Sequence, residues 1–146
     1  MFTIGTSKPV MVIGATGFVA GWIVKDLLEA GAIVHARVRN PDNTDKVEHL
    51  LDIARAAPAQ LRLFKADLLT LASYAEAMEG CGVTFHTASP FTIYVKDPQN
   101  ELIDPAVNGT RNVLGQANKT ESVWNVSSSI DHNAYSYSKT LAEKKA

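Results

Sequence analysis

Short apolar runs rich in β-branched residues alternate along this chain with segments whose apolar residues return every three or four positions. Val10-Met11-Val12-Ile13 is uninterrupted and stops at Gly14, the pattern of a strand buried on both faces. Val19, Ile23, Val24, Leu27 and Leu28 then mark a helix over 17–30, with Gly31 where a C-terminal cap is expected. Ile33 to Val38 reads as a second strand, followed by the turn Asn40-Pro41-Asp42-Asn43. A helix over 45–56 ends before Pro58, and Leu61 to Lys65 forms a third strand closed by Ala66-Asp67. Leu71, Ala75 and Met78 give one apolar face to a short helix that Gly80 and Gly82 terminate, and Val83 to Thr87 is a fourth strand. The next helix carries Val107, Thr110, Val113, Leu114 and Ala117 as its buried stripe. It has two candidate starts: Asp104 as cap with Pro105 in the first turn, or an earlier start with a bend at Pro105. Val123 to Val126 is short and polar for a central strand, and 134–146 reads as a helix. Alternation of this kind predicts an α/β fold with a mainly parallel sheet. No repeat or linker divides the 146 residues, so one domain over 1–146 is expected.

Composition narrows the function classes. Hydrophobic residues at 46% and charged residues at 20% fit a soluble globular protein. A net charge of −1 gives no reason to expect nucleic acid or an anionic membrane as partner. One cysteine, Cys81, cannot form an internal disulfide and reads as an inert thiol. No apolar run at the start suits a signal peptide and none elsewhere could span a bilayer, so a cytoplasmic location is expected. His35, His49, His86 and His132 lack the spacing of zinc ligands, and no metal site is expected.

Candidate chemistry lies in Gly14-Ala15-Thr16-Gly17-Phe18-Val19-Ala20. Small residues occupy the first, fourth and seventh positions of a strand-to-helix turn. The first allows a sharp turn, the second a close approach of backbone to a pyrophosphate, the third close helix–strand packing. The following helix aims its free N–H groups and positive dipole end at the phosphates. Glycines also serve plain tight turns, but here the loop follows a buried strand and opens an amphipathic helix. That context points to a dinucleotide, with Gly14, Thr16, Gly17, Phe18 and Val19 around its phosphates. An acidic residue about 20 positions on usually accepts from the ribose 2′-hydroxyl of NAD. This chain instead has Arg37, Val38, Arg39 and Asn40, with no carboxylate until Asp42. A guanidinium suits a 2′-phosphate, so NADP is expected ahead of NAD. Arg39 is the first candidate for that phosphate, with Arg37 and Lys46 behind it; the competing reading is solvated surface arginines.

The glycine loop, Val38-Arg39-Asn40-Pro41, Lys65-Ala66-Asp67-Leu68, Phe85-His86-Thr87-Ala88-Ser89-Pro90, the segment from Pro105 to Leu114, and Tyr135-Ser136-Tyr137-Ser138-Lys139 occur in one order. Together they resemble the extended short-chain dehydrogenase/reductase superfamily, in the branch of dihydroflavonol, cinnamoyl-CoA and microbial NADPH-dependent aldehyde reductases. The resemblance implies a Rossmann-type doubly wound parallel sheet with helices on both faces. It implies that Asp67 and Leu68 flank the adenine and that Thr87, Ala88 and Ser89 lie along the ribose and nicotinamide side. Tyr135 and Lys139 match the family's Tyr-x-x-x-Lys pair: a nearby ammonium favours phenolate and eases proton delivery to a carbonyl oxygen.

Two departures stand out. Before the tyrosine, Glu121-Ser122-Val123 runs directly into Trp124-Asn125-Val126-Ser127-Ser128, where the family has a longer stretch after its catalytic serine. The fifth-strand region near 123–130 is therefore expected to be shortened, with Ser128 the candidate catalytic serine and a polar capping turn the competing reading. The chain also stops at Ala146, so the family's C-terminal substrate lobe is expected to be absent. Three outcomes remain open: a fragment, an internally shortened relative, or a cofactor-binding remnant. The leading functional expectation is an NADPH-dependent reductase of a small-molecule aldehyde or ketone. The alternatives are a nucleotide-sugar epimerase or dehydratase of the same superfamily, and a non-catalytic dinucleotide-binding module.

Overall fold

A computed structural model describes residues 7–70, 73–90, 94–120 and 123–125. Strand β1 (Val10–Ile13) leads into helix α1 (Phe18–Glu29), β2 (Val34–Val38), α2 (Thr44–Ala56) and β3 (Leu61–Lys65). A short helix α3 (Ala75–Met78), strand β4 (Val83–His86), helix α4 (Asp104–Thr120) and strand β5 (Val123–Asn125) follow. All strand pairs are parallel and the order is β3-β2-β1-β4-β5. This is the doubly wound arrangement that the motif order implied, with the direction of winding reversing between β1 and β4.

Alternation along β1 and β2 divides the core in two. Val10, Val12, Val34, Ala36 and Val38 face one layer, where Val24, Leu27 and Leu28 of α1 and Val47 and Leu50 of α2 cover them. Met11 and Ile13 face the other layer, packed with Tyr74, Ala77, Met78, Val113 and Ala117 from the α3 and α4 side. Both faces of β1 are thus covered, which is why its four residues are all apolar and buried. Helix α1 ends near Gly31, where the Ala32 N–H donates back to the Leu27 carbonyl.

Pro105 decides the shape of the helix that precedes the site. A wider, π-type turn over Gln99–Ile103 runs straight into α4, so the helix starts before Pro105 rather than at it. A proline ring clashes with the carbonyl four residues back and offers no N–H; widening the preceding turn relieves both problems. Just before this turn, Asp97 takes up free N–H groups: its Oδ1 accepts from Gln99 and Asn100. The Asp97 N–H in turn donates to Glu101. Asp97 and Glu101 are both exposed.

Gly109 on α4 marks a close approach. A Cβ there would come within 2.5 Å of Leu68 Cγ. Nearby, the Asn112 side-chain amide donates to the Leu68 carbonyl at 3.1 Å, so α4 holds the loop after β3 in place. Gly109→Val is therefore expected to displace Leu68 and cost about 1–3 kcal/mol by overpacking, read as a lower urea midpoint. A midpoint equal to wild type would show that Leu68 can swing clear without cost.

Candidate functional site

At the carboxyl ends of β1 and β4, where the winding reverses, the paired strands are tied together and a cleft opens beside them. The Thr87 N–H and Thr87 hydroxyl both donate to the Ile13 carbonyl, at 3.2 and 2.7 Å. On the other side the Ala15 N–H donates to the Arg37 carbonyl at 3.3 Å. Between these ties Gly14 adopts φ +82, a left-handed conformation that L side chains rarely adopt. The chain then closes a tight turn, with the Gly17 N–H donating to the Gly14 carbonyl at 2.8 Å. Gly17 is the N-cap of α1 and provides no side-chain cap, and no acidic residue occupies the first turn. The helix end therefore keeps its positive dipole end unneutralised beside the cleft.

The cleft has a volume of about 620 Å³. Its lining comes from Gly14, Thr16 and Gly17 after β1, Arg37, Val38 and Arg39 at the end of β2, and Asp67, Leu68 and Leu69 after β3. Thr87 to Pro90 after β4 and Pro105 on α4 complete it. Asp67 shapes the third segment: its Oδ1 accepts from the Leu69 N–H at 2.9 Å, and its carbonyl accepts from Thr70 and Ser73. Two groups in the wall hold polar atoms without partners among the described residues, the Nε and Nη2 of Arg37 and the Oγ of Ser89. Buried donors left unmade are costly, so this wall suits a ligand with acceptor oxygens. A bare loop, an uncapped helix end and two guanidinium groups in one cleft fit a phosphate-bearing nucleotide.

The chain matches the model of the 3-beta hydroxysteroid dehydrogenase/isomerase family over residues 11–131. It belongs to that family. Its relatives place it among the extended short-chain reductases: it is 48% identical to a putative anthocyanidin reductase of Ginkgo biloba over 121 residues, covering 83% of this chain and 35% of that one. It is also 48% identical to a cinnamoyl-CoA reductase of Medicago truncatula, covering 86% of this chain and 39% of the relative. Among solved structures, Gre2 of Candida albicans in complex with NADPH superposes with a TM-score of 0.77 at 28% identity, over 94% of this chain and 51% of Gre2. Vestitone reductase of alfalfa gives 0.68 at 29% identity, over 95% and 51%. The chain thus spans a little over a third of these two relatives and about half of these solved neighbours.

In this member of the extended short-chain reductases, nine of the residues expected around the nucleotide share one cleft. Gly14, Thr16 and Gly17 meet Arg39, Asp67 and Leu68, with Thr87, Ala88 and Ser89 opposite. Phe18, Val19 and Lys46 do not line it. Phe18 is 84% exposed and borders a second groove with Trp22, His49 and Ile53, between α1 and α2. Val19 is exposed on α1, and Lys46 is exposed on α2. Ser128, Tyr135 and Lys139 lie outside the described residues. Sequence reasoning passed over Pro105, Leu69 and Asn112, and ranked Arg37 behind Arg39. Pro105 and Asn112 stand in the segment that carries the resemblance, but only the packing of α4 on the Asp67 loop gives them a role.

On the α3 side of β2, His35 and Cys81 are tied to the backbone. His35 Nδ1 lies 2.8 Å from the Ala77 carbonyl, and the Cys81 thiol donates to the same oxygen at 3.2 Å. Burial pushes the Cys81 thiol up to about 11 and the Tyr74 phenol up to about 12, from ordinary values of 9.0 and 10.0. Between those values the unfolded chain loses protons that the folded chain keeps, so stability declines as pH rises. Urea unfolding is accordingly expected to show a midpoint that starts to fall near pH 9 and continues falling towards 12. Cys81→Ala should delay the onset to about pH 10; an unchanged onset would place its cause elsewhere.

Proposed function

We infer that this chain is the nucleotide-binding portion of an NADPH-dependent reductase that converts a small-molecule aldehyde or ketone to an alcohol. The observation that carries the reading is the cleft at the β1/β4 switch point, lined by both a bare glycine loop and Arg39. Bound there, NADPH supplies the hydride. The chain's own groups bind and orient it: the N–H groups at the start of α1 take the pyrophosphate, and Arg39 takes the 2′-phosphate. Asp67 and Leu68 border the adenine, and Thr87 to Ser89 border the ribose and nicotinamide. Tyr135 donates the proton to the carbonyl oxygen, supported by Lys139, with Ser128 as the candidate catalytic serine. The names of two relatives, cinnamoyl-CoA reductase and dihydroflavonol 4-reductase, support carbonyl reduction over nucleotide-sugar chemistry.

A fluorescence titration with NADPH, followed by absorbance at 340 nm with a panel of aldehydes and ketones, tests both halves. Binding with turnover that Tyr135→Phe abolishes supports the full reading. Binding with no turnover, unaltered in Tyr135→Phe, supports a non-catalytic nucleotide module instead.

A further inference from the structure

Arg37 stands where an unpaired cation is rarely found. It is only 4% exposed, and its Nε and Nη2 have no hydrogen-bond partner among the described residues. Arginine is almost never buried so fully without a partner, because desolvating the charge is costly. Its guanidinium lies 5.5 Å over the ring of Tyr74, itself fully buried. A cation over a ring makes no hydrogen bond through its Nε and Nη2 donors, which stay available to a ligand.

The charges around Arg37 do not balance it. Burial opposes its charged form most, Arg39 adds to that, and the Asp67 carboxylate works against both. The Asp67 carboxylate is exposed, and one of its oxygens already accepts from Leu69. Two residues apart, Arg37 and Arg39 line the same cleft. A neutral adenine would leave both charges uncompensated; a phosphate dianion would answer both at once.

We propose that Arg37 is a second, buried contact for the 2′-phosphate of the bound dinucleotide, working with Arg39, and that Tyr74 is a positioning residue that holds its guanidinium in place. This rests on the dinucleotide reading above. It makes discrimination between phosphorylated and unphosphorylated ribose a property of a clamp rather than of one surface side chain.

Calorimetric titration of the 146-residue chain with 2′,5′-ADP and 5′-AMP separates the phosphate from the rest of the cofactor. Wild type is expected to prefer 2′,5′-ADP. Arg37→Met should shrink that preference about tenfold, the weight of one charge-assisted hydrogen bond, and leave 5′-AMP binding nearly unchanged. Its melting temperature should hold or rise, because an unpaired buried charge has been removed. Arg37→Lys, which keeps the cation and loses the fork, should shrink the preference less, and it carries the test if the methionine variant does not fold. Tyr74→Phe should retain the preference, whereas Tyr74→Leu, lacking the ring, should lose part of it. Equal weakening of both nucleotides, or an unchanged preference in both Arg37 variants, would overturn the assignment while leaving the dinucleotide reading intact. A wild-type chain that binds neither ligand nor NADPH refutes that reading, and this one with it.

Discussion

Gly14→Val is expected to abolish NADPH binding and to cost roughly 3 kcal/mol of stability, the sum of a left-handed backbone penalty and an overpacked contact. The position has φ +82, and a Cβ there would meet Ala88 Cα and N at 3.0 Å. Those are backbone atoms, so no side-chain rotation relieves the overlap. The Ala88 backbone cannot retreat freely either, because Thr87 beside it is tied to the Ile13 carbonyl through both its N–H and its hydroxyl. Relief would have to separate β1 from β4, which opens the floor of the cleft. Gly14→Ala should show the same effect at smaller amplitude. Urea unfolding and a fluorescence titration measure the two consequences; a valine variant with wild-type midpoint and affinity would mean that the turn can be rebuilt without the left-handed residue.

For Arg39→Met the expected result is a loss of cofactor discrimination rather than of fold. Arg39 is exposed at the end of β2 and lines the cleft, so its removal disturbs no core packing. A hydrogen bond to a charged group contributes about 1.5–3 kcal/mol, which corresponds to a tenfold to hundredfold weaker affinity for NADPH. NADH lacks the 2′-phosphate and should bind the variant much as it binds wild type. The difference should also shrink with added salt, since the contact is solvent-accessible. Parallel titrations with both nucleotides at two ionic strengths check this. Equal losses for NADPH and NADH would remove Arg39 from the phosphate and give it the adenine or ribose.

Much of this molecule was legible in the order of its residues. The runs Val10–Ile13 and Leu61–Lys65 emerged as strands with the bounds expected from their apolar character. The periodic stretches became α1 and α2 within a residue or so of the positions set by Gly31 and Pro58. These features are local: a strand buried on both faces must be apolar throughout, and a helix on a sheet must repeat near 3.6. The phosphate loop belongs to the same class, because a left-handed turn and an unobstructed backbone both demand glycine at fixed positions. The third helix shows the limit of such reading. Of the apolar face drawn through Leu71, Ala75 and Met78, Leu71 lies outside the described residues, and Ala75–Met78 makes a single helical turn.

Other decisions belonged to the tertiary structure alone. Val123–Asn125 is too short and polar to announce itself, yet it pairs in parallel with Val83–Phe85, because an exposed row of backbone groups on β4 is available to it. The helix before the cleft starts as a wide turn because Pro105 needs room, a choice that the sequence left open between two starts. Phe18 and Val19 share the glycine loop's motif but face away from the cleft, since helix geometry points successive side chains in different directions. Arg37 reads in the sequence as one more cation near Arg39. Burial against Tyr74 is what distinguishes them, and burial is a property of segments brought together from distant parts of the chain. Periodicity and turn chemistry set the elements and the phosphate loop by themselves. Which side chains reach the nucleotide, and which charges are stripped of water, depended on how β2, the Asp67 loop and α4 pack, and no local pattern encodes that.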